Sequence, residues 1–225
     1  MFSELYASAS IPEFKKVYLQ VTKLLFFVVL PVSLLFLGYA GTIMRAIFGT
    51  SYWGGGTPLR WLVIGYALDT FIGPVGLMTL AIGKTRHYLI YDIVGFLSVA
   101  LLSLWLIPAY GVSGAAIATA ASAVLWNLTG LGFIYKFLKL QPFGIQHLKF
   151  FALSTALFLG IYLFSKTFIS GWLNPATTIA IYGAISAYLF KRFMALDEEG
   201  RKFVSDLEHK LLRLLNVNTK IEFKK

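Results

Sequence analysis

Two carboxylates fall inside the apolar runs of this 225-residue chain, and they are the side chains best placed to do chemistry there. Asp69 lies in LVIGYALDTFI and Asp92 in HYLIYDIVGF. If these runs cross a bilayer, an ionised carboxylate near the centre costs at least about 2.5–3.5 kcal/mol, so neither can face lipid. For Asp69, near mid-depth, two readings carry equal weight. It serves a polar pathway or a coupled proton, or it is a protonated or paired Asp closing a helix contact. Asp92 follows Lys84 and Arg86 closely and reads as their local charge partner. Lys23 and Arg60 stand at the ends of apolar runs, where long cations snorkel to the interface or point at an anionic substrate. Asn127, beside Trp126, suits an interhelical hydrogen bond, and its NLT sequon lies within a span, where glycosylation does not occur.

Other chemistries find no residues. There is no Cys, hence no disulfide and no thiolate metal site. His87, His147 and His209 are far apart, fall in loops or the tail, and lack paired-ligand spacing. Gly54, Gly55 and Gly56 lack the strand and Lys-Ser/Thr context of a phosphate-cradling loop and read as a flexible turn. No serine elbow or kinase-type set is present. The expectation is a non-enzyme without metal or cofactor.

The elements that position these residues follow from composition. The chain is 58% hydrophobic and 13% charged, against about a quarter charged in soluble domains. That balance selects the lipid bilayer as the principal partner. The net charge of +10 is scattered between apolar runs or held in the tail, which is a topology signal and excludes a nucleic-acid stripe.

Residues 1–23 form an amphipathic cytoplasmic lead-in with Lys15, Lys16 and Lys23. Six spans of the required length follow, at about Leu24–Ile47, Leu59–Ile82, Tyr88–Ile107, Val112–Tyr135, Phe150–Phe168 and Leu173–Phe190. Pro31 predicts a kink in the first, and Gly73–Gly76 a break in the second. The fold class is thus all-α integral membrane with six transmembrane helices. One set of alternating loops carries ten Lys and Arg, the other only Arg45, Arg60 and Lys166. The positive-inside rule and the even span count each place both termini in the cytoplasm. Four spans in 24–143 make one group, the two in 144–192 a second, and 193–225 a cytoplasmic tail. In the tail Asp197 caps an amphipathic helix with Phe203, Leu207, Leu211 and Leu214 on one stripe.

The third and fourth spans meet at Pro108-Ala109-Tyr110-Gly111, a connection so tight that the spans must be antiparallel neighbours. Beyond it, Gly114, Ala118 and Ser122 recur at helical spacing, with Ala115, Thr119 and Ala123 one residue on. That face lets another backbone approach closely, the small-xxx-small logic of membrane helices.

Several of these segments together resemble a known family. FSELYAS at Phe2–Ser8, VVLPVSLLF at Val28–Phe36, the FG-x-x-Y pattern of Phe48, Gly49 and Tyr52, GPVGLMTLAIGKTR at Gly73–Arg86, and above all LIPAYGVSGAAIATAAS at Leu106–Ser122 are similar to the C-terminal half of prokaryotic polysaccharide or oligosaccharide flippases. These belong to the multidrug/oligosaccharidyl-lipid/polysaccharide (MOP) exporter superfamily. Ser103 departs from the pattern, since many relatives carry Asn there. The resemblance covers about Met1–Phe143, the remainder matching by pattern only. It implies two six-helix lobes around a central cavity, in a MATE/MOP-like bundle with two extra helices, of which this chain would hold the ninth to fourteenth. It further implies a prokaryotic plasma-membrane transporter of lipid-linked oligosaccharide or polysaccharide precursors working by alternating access, and a missing N-terminal half as partner. Phe150–Phe190 would correspond by position to a lipid-tail groove. Three alternatives stay open: a cation-coupled multidrug exporter of the same superfamily, a transport-inactive scaffold in a glycan-assembly complex, and, weakest on loop composition, a membrane glycosyltransferase.

Overall fold

The computed structural model describes residues 11–169, 171, 173–196, 200–202 and 205. The FSELYAS segment and the tail stripe from Phe203 to Leu214 lie outside the described residues. Helices account for nearly all of the rest: α1 (Ile11–Phe48), a 3-10 turn (Thr50–Gly55), α2 (Gly56–Ile72), α3 (Val75–Ala81), α4 (Thr85–Tyr110), α5 (Val112–Leu138), α6 (Ile145–Phe168) and α7 (Leu173–Met194). The chain divides into two compact units, Met1–Gly183 and Ala184–Lys225. Everything below concerns the first; the second holds the end of α7.

Five stretches are long and apolar enough to cross a membrane: α1, the turn with α2 and α3, α4, α5 and α6. The sixth expected span is α7, whose 22 residues reach about 33 Å at 1.5 Å per residue, enough for the hydrocarbon core. Asn174, Thr177 and Thr178 at its start make it more polar than the others, and they are used internally, as described below.

The small-residue helix is the hub. α5 packs on α4 and α2, α2 on α1, and α1 on α6. On α5, Gly114, Ala118 and Ser122 are buried, and so are Ala116, Ala120 and Ala123. A Cβ on Gly65 of α2 would sit 2.6 Å from the Ala120 Cα, so the α2–α5 crossing exists only because residue 65 has no side chain. A Cβ on Gly114 would overlap the Leu106 carbonyl of α4. The reversal between α4 and α5 is tighter than the four-residue turn expected. Pro108 is inside α4, and Gly111 alone turns the chain with φ +57°, a conformation glycine adopts without penalty. Backbone bonds run through it, from Gly111 N to Ile107 O (2.8 Å) and from Ala115 N to Gly111 O (3.2 Å).

Three other expectations need correction. Helical dihedrals in α1 are interrupted not at Pro31 but at Tyr39 (φ −111°, ψ 20°). The Tyr39 hydroxyl is bound to Thr178 Oγ1 and Asn174 Oδ1 of α7, each at 2.7 Å, and its ring meets that of Tyr162. Tertiary bonds at Tyr39 hold this break in place; Pro31 lies inside the helix with helical dihedrals. The lead-in does not stay on a surface: Tyr18 is fully buried with Val75, Met78, Tyr91, Ile134 and Leu138. It donates to the Ile72 carbonyl at 2.7 Å, satisfying an acceptor at the α2–α3 break, where Gly73 takes φ +82°. A broken helix at membrane depth requires such a donor. Finally, the triple glycine is no flexible turn. Gly56 opens α2 against α1, where an added Cβ would lie 2.8 Å from the Gly41 Cα.

Candidate functional site

α2, α4 and α5 line a half-open cavity of about 330 Å³, and both intramembrane carboxylates lie in its wall. Asp69 enters from α2 one turn beyond Tyr66, and Asp92 from α4 one turn before Gly95 and Phe96. α5 closes the back with Thr119, Ser122 and Ala123, and Trp126 lies at one end. The small residues of α5 leave the volume, because Ala and Ser at these positions cannot fill the space between helices that Gly65 and Ala120 bring into contact.

Asn127 ties the site together. It is 1% exposed, and its Nδ2 donates to Asp69 Oδ1 at 2.9 Å and to the Ala123 carbonyl at 2.7 Å. One primary amide thus spends both its protons inside the membrane, one on its own helix and one across to α2. This is the interhelical bond its residue type suggested. The Ser122 hydroxyl donates to Ala118 O (2.7 Å) and Thr119 to Ala115 O (3.0 Å), so both present oxygen lone pairs and no proton to a ligand. Trp126 Nε1 is buried with no hydrogen-bond acceptor.

The structure brings Asp69 and Asp92 together and places the other charged candidates elsewhere. Asp92, expected to pair with Lys84 and Arg86, faces the cavity instead, while the Lys84 ammonium lies over the Phe137 ring at 5.2 Å. Helix phase explains the difference, since Lys84 precedes the first turn of α4. Lys23 is buried in α1, with its ammonium 5.7 Å from the Phe27 ring. Arg60 donates from Nε to the Leu37 carbonyl at 3.0 Å, bridging α2 to the bend in α1. Of the small-residue positions, Ser122 lines the cavity, Ala118 is buried one turn away, Gly114 packs on α4 at Leu106, and Pro108 and Gly111 lie at the turn.

Two histidines are not in loops as expected. His87 is in the first turn of α4 against Phe133 and Phe137. His147, in the first turn of α6, accepts from the Gly144 backbone N–H at 3.1 Å through Nδ1, among Phe26, Phe27 and Phe143. Among the described residues no three His, Cys, Asp or Glu come together as a metal site would need. Sequence reasoning missed Tyr66 and Trp126 as lining residues, although Tyr66 and Asp69, and Ser122 and Trp126, are spaced for one helix face.

No protein-family model matches the chain, and no curated protein matches it. Among solved structures it is similar to the lipid II flippase MurJ in an inward closed conformation, at a TM-score of 0.67 and 18% identity. The likeness covers 85% of this chain and 41% of that one. The chain thus spans about two fifths of the length of that flippase. With five membrane-length apolar helices and a fold like that of a membrane flippase, this is an all-α, multi-pass membrane protein.

Proposed function

We propose that this chain is the C-terminal part of a transporter that moves lipid-linked oligosaccharide or polysaccharide precursors across the plasma membrane by alternating access. The observation that carries the reading is the pairing of a flippase-like fold with an intramembrane cavity holding two carboxylates. A fold built only for packing would not keep two such groups at a cost of several kcal/mol. Asp69 is the principal pathway residue, held by Asn127, and Asp92 completes the polar surface. Arg60 and Lys23 act on α1, the first by bracing its bend. The small-residue positions from Pro108 to Ser122 form the seam on which α2 and α4 pack. Both termini are cytoplasmic, as the ten-to-three division of loop cations favours. The N-terminal half of such a transporter is the partner that supplies the other lobe, in keeping with the share of the flippase that this chain covers.

A second reading, a cation-coupled multidrug exporter, is favoured by one feature. Tyr66, Phe96 and Trp126 surround the carboxylates, an aromatic and anionic lining suited to lipophilic cations. Reconstitution into proteoliposomes, alone and with an N-terminal half, distinguishes the possibilities. Translocation of a lipid-linked glycan that requires both halves supports the flippase. Efflux of a lipophilic cation without glycan movement supports the exporter, and activity under neither condition leaves the scaffold.

A further inference from the structure

A groove separate from the carboxylate cavity opens at the lysine-rich end of α5. Its volume is about 430 Å³. One wall is a single face of α5, with Leu128, Leu131, Gly132 and Tyr135 spaced at three, four and seven residues; the other is the connection Leu140–Phe143. Continuing the same face toward the helix end brings Lys136 and Lys139. The groove is therefore mainly apolar, and Lys139 follows on the same face roughly 16 Å from Leu128 along the axis, while the Lys136 ammonium lies 5.9 Å from the Phe137 ring.

Three details show a shaped slot rather than an ordinary lipid-facing surface. Gly132 has open space where a Cβ would stand, so its missing side chain serves no helix contact and only widens the slot. Lys139 ends α5 in the left-handed conformation (φ 53°), which a lysine adopts at a cost. That geometry sets its ammonium 5.2 Å from the ring centre of Tyr135, a residue of the groove wall.

We infer that this groove holds one anionic phospholipid of the surrounding bilayer, with an acyl chain between Leu128, Gly132 and Phe143 and its phosphate at Lys139. An extended acyl chain matches the long apolar slot, and the phosphate matches the lysine that ends the same helix face, which contributes on the order of fivefold in affinity. The inference is independent of what the protein transports.

The test is native mass spectrometry of the full chain, extracted from vesicles of phosphatidylcholine mixed with phosphatidylglycerol. The expected result is one retained phosphatidylglycerol per chain. Gly132→Leu puts a side chain into the slot where a Cβ meets nothing within 4 Å and removes a glycine from a helix, so it should fold normally by circular dichroism yet lose the bound lipid. Lys139→Asn keeps a residue that tolerates the left-handed conformation and should weaken retention roughly fivefold. Equal retention of the two lipids, or an undiminished bound lipid in a folded Gly132→Leu variant, would overturn the inference. So would a dimer of the chain that this substitution dissociates, because the groove would then be a self-association face.

Discussion

Asn127 of α5 holds Asp69 of α2 through a 2.9 Å hydrogen bond across a helix crossing so close that Gly65 touches Ala120. The polar contact and the small-residue seam are parts of one interface. Close backbones let a short amide reach the carboxylate, and the amide in turn fixes the register of the two helices.

Asn127→Leu leaves the Asp69 carboxylate without its donor and should destabilise the protein by about 1–2 kcal/mol, the upper range for interhelical hydrogen bonds in membranes. Asp69→Asn preserves an acceptor and should cost less. Reversible unfolding in mixed micelles checks the order; equal losses would mean that the bond does not organise the seam.

Gly65→Leu introduces side-chain atoms where even a Cβ would lie 2.6 Å from the Ala120 Cα. Forcing α2 and α5 apart should cost about 1–3 kcal/mol. Gly160→Ala, at a glycine whose Cβ would meet nothing within 4 Å, should instead be neutral or stabilising by up to about 1 kcal/mol. Thermal unfolding of the two variants tests whether close approach, and not glycine content, maintains the crossing.

Tyr39→Phe removes the hydroxyl bound to both Asn174 and Thr178 while keeping the ring against Tyr162. The start of α7 should then exchange its amide hydrogens faster, by roughly three- to tenfold for a loss of about 0.6–1.4 kcal/mol. Hydrogen exchange read by mass spectrometry over the Leu173–Thr178 segment checks this. The same experiment on Pro31→Ala should show little change there, since the contacts to that segment come from Tyr39.

Much of this architecture is legible in the residues. Apolar runs of membrane length and their cationic separators delimit the spans, and the spacing of Gly114, Ala118 and Ser122 marks the hub helix. What the chain does not show locally is which residues meet. Pro31 is the visible helix breaker, yet the dihedrals leave the helical region at Tyr39, whose partners Asn174 and Thr178 lie more than a hundred residues away. Asp92 follows Lys84 and Arg86 by only eight and six residues along the chain, but it lines the same cavity as Asp69. Tyr66 and Trp126 read as ordinary aromatic residues until three helices converge on them. Residues 54–56 read as a loose glycine turn because the partner that Gly56 packs on, Gly41, lies in a different helix.

The most direct test of the proposed function measures movement of a lipid-linked oligosaccharide between leaflets of proteoliposomes that contain this chain together with an N-terminal half. Translocation that needs both polypeptides, and that falls about tenfold or more in an Asp69→Leu variant that still folds, is the predicted result; tenfold corresponds to about 1.4 kcal/mol on the rate-limiting barrier. Unchanged translocation in that variant, or none with both halves present, would contradict it.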